Sequence, residues 1–424
     1  MIIFERDKPR NIIIYTILFL FTQIIGYATF WIIRIINNKK KNSLLVKNKE
    51  DEIYRKLSQK ELKDFSVPIN DDILNFNYLA FNSEVTYNNN YQFINNYETF
   101  KEELIKSLNK ANNYILLELT RFNYIDFEKI KEVLISKAND GVIVKLAHDK
   151  HIKQKAIRAL RKGGVKVYKF SKYNTINGLY SNFRNSICID GNVVFIGSLD
   201  RTKKQLQNKY DICDCFLKIS GDIVQSINLD LHKDTVFASG KYLEFKAAEK
   251  INIQNKTIVQ YVSNEYNKDL ELLIIKAISE AKSSIQIQVE EFIPTESIMS
   301  LLNFAINSGI DVKLIVPLKA NRSSRIFATR AYAKELALLG ANVYLYDGFI
   351  RFNSIVIDGT YLIYGNFMLD REHISTSLQN AIVIKDDKAV AHFTKLLNNS
   401  INNSYRISNA NLMLLREKFF KNFV

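Results

Sequence analysis

Hydrophobic and polar positions along this chain fall into two regimes. The first is an unbroken apolar run, Ile12 to Ile33, that carries no charge. About 20 apolar residues at ~1.5 Å each cross the ~30 Å hydrocarbon core of a bilayer, so the run predicts one transmembrane helix. Arg6, Lys8 and Arg10 precede it, Arg34 and Lys39 to Lys41 follow it, and Trp31 falls at its interfacial end. The run is too long for the apolar part of a signal peptide, and no small-x-small cleavage site follows it. The N-terminal flank mixes Glu5 and Asp7 with its bases, whereas the C-terminal flank is purely basic. That asymmetry places the bulk of the chain on the cytoplasmic side. The same flank would lie against anionic headgroups.

The second regime alternates short apolar runs with amphipathic stretches. Residues 37–95 come first; they are polar and rich in Asn and Lys, and read as a linker with a short helix near Glu50 to Phe65 and an irregular lead-in. A first unit then opens with a helix around Thr99 to Asn112. Strands follow at Tyr114–Leu117, Val142–Leu146 and Val165–Tyr168, separated by a helix over Phe127–Ala138 and another ending at Gly163-Gly164. A second unit repeats the order: helix Lys268–Ala281, strand Ile285–Val289, a helix ending at Gly309, and strand Ile310–Val316. Strands alternating with helices predict a largely parallel sheet covered on both faces.

The two units also share a phrase. Asn185-Ser186-Ile187-Cys188-Ile189-Asp190-Gly191 returns 168 residues later as Asn353-Ser354-Ile355-Val356-Ile357-Asp358-Gly359. In each copy a short apolar run and a glycine follow, which predicts a hairpin with Asp-Gly in its turn. Asn139, Gly141, Val144, Lys145 and Leu146 map at the same offset onto Asn307, Gly309, Val312, Lys313 and Leu314. The predicted fold is α/β: two tandem repeats, each a mixed sheet flanked by helices, facing each other across a pseudo-twofold axis. The expected division is 1–36 membrane anchor, 37–95 linker and lead-in, 96–245 first repeat and 246–424 second repeat.

Composition adds two constraints. With 424 residues, 47% of them apolar, there is material for two cores of ordinary size. Lys and Arg outnumber Asp and Glu by 59 to 44, a surplus that suits an anionic surface and is also what an Ile-, Asn- and Lys-rich composition produces by drift. Cys188, Cys213 and Cys215 form no even disulfide set, and Cys213-Asp214-Cys215 is too tight for a usual zinc pair, so all three read as reduced strand residues. No cofactor or metal is implied.

The order of strands, the glycine-flanked repeats and the x-x-Ile-Asp-Gly phrase resemble the phospholipase D superfamily, and within it bacterial cardiolipin synthases. The resemblance runs along nearly the whole chain. It includes Phe4-Glu5-Arg6-Asp7-Lys8-Pro9-Arg10 before the apolar run, Tyr210 to Gly221 after the first phrase, Glu291-Phe292-Ile293-Pro294, and Gly348-Phe349-Ile350 leading into the second phrase. That family usually has two membrane helices, and this chain shows one. Its signature, His-x-Lys-x-x-x-x-Asp once per half, implies a histidine that attacks a phosphodiester, a second that protonates the leaving alkoxide, and lysines that hold the phosphate oxygens. In cardiolipin synthase the phosphatidyl group passes from one phosphatidylglycerol to another.

In this chain those slots read Phe183, Asn185 and Asp190 in the first copy, and Arg351, Asn353 and Asp358 in the second. A later family asparagine falls on Asp200 and Met368, and a later glutamate on Gln379. Phenylalanine has no lone pair for phosphorus. Arginine, with a pKa of about 12.5 or more, stays protonated near pH 7, and asparagine carries no charge. Losing the whole set leaves mostly binding. The surviving Asp190 and Asp358 are explained by their turns. Of the histidines, His148 and His151 read as surface polar residues. His373, just past the second phrase, is the possible substitute catalyst. Arg184 and Arg351 flank the slots and read either as phosphate-binding cations or as ordinary surface charges. The expectation is a membrane-anchored, cytoplasm-facing relative of the family that has lost transfer activity and binds anionic phospholipid or regulates an active cardiolipin synthase paralogue. Two rivals are an active phosphatidyltransferase or phosphodiesterase with recruited residues, and a nucleic-acid-binding member of the superfamily, against which the membrane helix argues.

Overall fold

A computed structural model of the chain describes residues 65–120, 127–148, 154–169, 182–199, 211–239, 257–265, 268–319, 323–374 and 377–407, with a few single positions elsewhere. The apolar run over 12–33, apart from Thr16 and Trp31, and nearly all of the helix expected over 50–65 lie outside the described residues. Among the described residues no helix is long and apolar enough to cross a membrane.

The elements alternate as the periodicity requires. The first group is α1 (Asp72–Phe81), β1 (Val85–Thr86), β2 (Asn89–Ile94), α2 (Tyr97–Asn109), β3 (Tyr114–Leu119), α3 (Glu128–Asn139), β4 (Ile143–His148), α4 (Gln154–Lys162), β5 (Lys166–Lys169), β6 (Ser186–Ile189), β7 (Val193–Ile196), β8 (Asp211–Cys213), β9 (Phe216–Gly221) and α5 (Ile223–Ser239). The second is β10 (Ile258–Glu265), α6 (Asp269–Glu280), β11 (Ser284–Gln288), β12 (Phe292–Ile293), α7 (Glu296–Asn307), β13 (Asp311–Pro317), α8 (Ser323–Leu338), β14 (Asn342–Tyr346), β15 (Gly348–Ile350), β16 (Asn353–Ile357), β17 (Tyr361–Gly365), β18 (Leu369–Asp370), β19 (Leu378–Lys385), α9 (Asp387–Asn402) and β20 (Ser404–Arg406).

Two mixed sheets result. One has the order β2-β9-β7-β6-β3-β4-β5, the other β1-β10-β19-β17-β16-β11-β13-β14-β20. In the first, β3, β4 and β5 run parallel and β6 returns antiparallel beside β3. In the second, β11, β13 and β14 run parallel and β16 returns antiparallel beside β11. Both phrase hairpins close through left-handed residues, Asp190-Gly191 at φ 53° and 67° and Asp358-Gly359 at φ 51° and 62°. Two consecutive positive φ values define a type I′ turn, and Asp followed by Gly accepts them at least cost.

Apolar side chains fill three layers. α2, α3 and α4 cover the outer face of the first sheet, and α6, α7 and α8 that of the second. α5 and α9 lie between the sheets, where Leu116, Val194 and Leu217 from one meet Val259, Val356 and Leu362 from the other around Ile223, Phe393 and Leu397. Phe93 stands edge-on to Phe393 with ring centroids 4.6 Å apart. Each such buried side chain stabilises by about 1.5–3 kcal/mol relative to exposure, so this seam behaves as a core.

The irregular lead-in expected before the first unit is instead ordered from Asp71 onward. Asp71 caps α1, accepting from Ile73 N at 3.1 Å and Leu74 N at 2.9 Å. Its second oxygen accepts from Tyr361 Oη at 2.6 Å and Lys385 Nζ at 2.7 Å, which ties α1 to the second sheet. β1 pairs with β10, while β2 forms the edge of the first sheet beside β9. The pattern hid these elements because several of their inward positions are amides. Asn77 Nδ2 donates to Gln260 Oε1 at 2.9 Å, and Asn89 Nδ2 donates to Thr86 Oγ1 at 2.9 Å. A buried amide that finds partners is tolerated in a core, and it reads as polar in a sequence.

Candidate functional site

The repeated phrase sets the geometry of the junction. β6 begins just after Asn185 and β16 begins at Asn353, at the end of each sheet where β3 and β11 finish. Asn185 and Asn353 carry amides with one shared job. Asn185 Oδ1 accepts from Thr120 N at 3.0 Å, and its Nδ2 donates to Phe183 O at 2.9 Å. Asn353 Oδ1 accepts from Glu290 N at 2.7 Å, and its Nδ2 donates to Phe367 O. Thr120 and Glu290 are where the backbone leaves β3 and β11. An ammonium has donors only, so it could not accept these N–H groups.

Asp190 and Asp358 are equally matched. Asp190 accepts from the backbone N of Asn112, Asn113 and Tyr114, each at 2.8 Å. Asp358 accepts from the N of Lys282 and Ser283 at 2.8 Å and of Ser284 at 2.9 Å. Partial burial pushes the Asp358 pKa up, but these backbone donors and the Ser283 hydroxyl outweigh it and hold the carboxyl below its ordinary value.

Arg184 differs from both sequence readings. It is neither a surface charge nor open to a phosphate, being 1% exposed. Nη1 lies 2.5 Å from Asp234 Oδ2, Nη2 lies 3.7 Å from Asp230 Oδ2, and Nε and Nη2 donate to Gln379 O and Asn264 O, each at 3.3 Å. Its donors are therefore spent across the seam. Burial opposes the guanidinium charge, and Asp234, Tyr261, Asp230 and Glu118 together more than offset that and hold the pKa well up. Glu118 lies in the same cluster, bonded to Asn182. Burial first, and the Asp234 charge second, push its pKa well up.

Arg351 is half-buried and bridges the segment after β11 to the segment after β7. Nη1 lies 3.3 Å from Glu290 Oε1, and Nη2 donates at 3.1 Å to Ser198 Oγ, just past β7. Phe183 donates its backbone N–H to Leu378 O at 2.8 Å, and its ring meets His373 edge-to-face at 5.3 Å between centroids. His373 is buried, with Nδ1 against Asp370. Arg325 is enclosed by Glu291, Asp370 and Glu372. Although burial raises it, the Asp370 pKa is held far below the carboxylate range by His373 and Arg325.

Other sequence-level candidates fall as follows. Gln379 accepts from Met368 N at 2.8 Å and donates to His373 O at 2.8 Å. Asp200 and His151 lie outside the described residues. His148, expected on the surface, is 4% exposed because β4 runs two residues beyond its apolar core and pairs His148 between Leu119 and Lys169. Cys188 and Cys213 are strand residues, Cys215 precedes β9, and all three are free thiols. Sequence reasoning missed Glu290, Arg325, Asp234 and Ser198. The acidic pair Glu290-Glu291 beside Phe292-Ile293-Pro294 was the visible signal for the second cluster; nothing local marks Asp234.

Known proteins resemble this chain in sequence and in fold. Residues 274–401 match the family model described as "Cardiolipin synthase, PLD-like domain". The chain is 27% identical over 403 residues to a cardiolipin synthase of Oceanobacillus iheyensis, covering 87% of this chain and 82% of that one. It is 25% identical over 416 residues to a probable cardiolipin synthase of Bacillus subtilis, covering 92% and 83%. Among solved structures, the phosphatidylserine synthase of Haemophilus influenzae superposes with a TM-score of 0.61 at 13% identity, over 78% of this chain and 92% of that one. That likeness shows the fold.

Proposed function

Because this chain is a cardiolipin synthase-like protein of the phospholipase D superfamily, we propose that it works at phospholipid membranes without phosphatidyl transfer. One observation carries the reading. The four positions where the family places imidazole and ammonium hold Phe183, Asn185, Arg351 and Asn353, and each is engaged by the protein itself. Transfer needs a lone pair at phosphorus, a proton for the leaving alkoxide and cations on the developing charge. Phe183 supplies none of these, Asn185 and Asn353 spend their oxygens on backbone, and Arg351 stays protonated.

In this reading the units are copies of one phospholipase D-like fold across a pseudo-twofold axis, supported by the shared strand order. The 12–33 run serves as a single anchor with the rest of the chain cytoplasmic. Arg351 is the cation left at the junction for a headgroup phosphate, which would displace Glu290 and Ser198. The protein then binds anionic phospholipid, or regulates an active cardiolipin synthase. The test is to incubate the purified chain with phosphatidylglycerol and follow cardiolipin by chromatography. No product is expected. Turnover abolished by Arg351→Ala or Phe183→Ala would overturn the reading.

The contact of His373 with Phe183 and Asp370 favours a second reading, in which His373 replaces the missing imidazole. A carboxylate on Nδ1 is the arrangement that orients a histidine base. Turnover that disappears in His373→Ala would establish it.

A further inference from the structure

Acidic and basic residues are interspersed through most of the chain, but not between Lys150 and Ile189. Those 40 residues hold ten Lys and Arg and no Asp or Glu. The fold gathers six of the ten on one border of the first sheet. α4 turns Ala156, Ile157 and Leu160 into the core and presents Lys155, Arg158, Arg161 and Lys162 to solvent. β5, the last strand of that sheet, adds exposed Lys166 and Lys169.

None of the six forms an ion pair. Arg158 Nε donates to Gln154 O at 3.4 Å, and Arg161 Nη2 to Val167 O at 2.9 Å, so both guanidiniums bond only backbone carbonyls. Elsewhere on the outer helices lysines are paired, as Lys101 with Glu98 and Lys276 with Glu280. The crowding is felt next door, where burial and then the neighbouring Lys166 push the Lys145 pKa down. Lysines on an edge strand discourage edge-to-edge pairing, which explains Lys166 and Lys169. It does not explain four cations on the exposed face of a helix, held together against their mutual repulsion.

We propose that the α4–β5 border is a docking surface for anionic phospholipid headgroups. This rests on the membrane reading above and locates it on a surface distinct from the slots. Charge complementarity selects the occupant: six unpaired cations on about 13 Å of helix and a strand of similar length suit a plane of phosphates. Nucleic acid would satisfy the same charge. Among the described residues the border offers no exposed aromatic platform for bases, since Tyr168 is half-buried against Ala147, Ala238, Phe237 and Leu378.

The test uses the full chain in mild detergent, titrated with vesicles of phosphatidylcholine alone and of phosphatidylcholine with one-third phosphatidylglycerol. Each basic residue near an anionic surface gives about fivefold in affinity, so Arg158→Glu, Arg161→Glu and Lys162→Glu together, which remove three cations and add three anions, should cost more than about 100-fold on the anionic vesicles. Binding to neutral vesicles should be unchanged. The milder triple change to Gln, checked by circular dichroism, should give a smaller loss of the same sign. If the unsubstituted chain prefers anionic vesicles and both variants keep that preference, the border is refuted while the membrane reading stands. If the unsubstituted chain shows no preference, both fall. If a short DNA duplex binds more tightly than the anionic vesicles and loses affinity in the variants, the surface belongs to nucleic acid and the proposal fails.

Discussion

The guanidinium of Arg184 rests 2.5 Å from the carboxylate of Asp234, both inside the protein, with one on the segment entering β6 and the other on α5. Removing one partner of a buried pair strands the other charge, at a cost of about 3–5 kcal/mol. Arg184→Met is therefore expected to destabilise by that order, read as the urea midpoint by near-ultraviolet circular dichroism. Adding Asp234→Leu should recover part of the loss. If the double variant is no better than the single, the pair is not the energetic unit it resembles.

Asp190 and Asp358 hold the backbone ahead of β3 and β11 through three N–H bonds each. Replacing either by Asn keeps the left-handed turn and removes the charge. Hydrogen bonds to charged groups are stronger than neutral ones, so each change should cost about 1–2 kcal/mol, and the two costs should be similar. A large effect at only one position would show that the shared geometry hides different roles.

His232, on α5 beside Tyr114, has its pKa pushed down to about 4, first by burial and then by Lys145. The unfolded chain takes up this proton near pH 6.5 and the folded chain only near 4. The stability it contributes is thus complete above pH 6.5 and declines as pH falls toward 4. The decline should be on the order of 2–3 kcal/mol, and His232→Gln should flatten the urea midpoint between those pH values. An unchanged slope would place the acid sensitivity elsewhere.

Burial pushes the Cys188 thiol up to about 12 and the Cys213 thiol up to about 11, and raises Cys215 as well. Thiolate, the reactive form, is then scarce at pH 8. A thiol reagent should label the native protein very slowly and reach three equivalents only in urea. Rapid labelling of one equivalent would mark Cys213, the least buried, as open to solvent.

Much of this architecture is legible in the chain. The spacing of β-branched runs and the Asp-Gly turns depend on local backbone preference, and the hairpin Ser186–Ile189 with Val193–Ile196 stands where the alternation puts it. Side-chain type is likewise legible there: no fold gives Phe183 a lone pair or Asn353 a charge. What the amino-acid order could not express is pairing over distance. Arg184 reads as a surface cation until Asp234, Gln379 and Asn264 close around it. Asn77 and Asn89 read as loop until their amides find partners in a core. Arg351 becomes a bridge only when Ser198, from the segment after β7, arrives beside it. Local preference and residue chemistry act along the chain and were settled by the sequence itself. Burial and charge pairing depend on which segments meet, and the tertiary structure alone decided them.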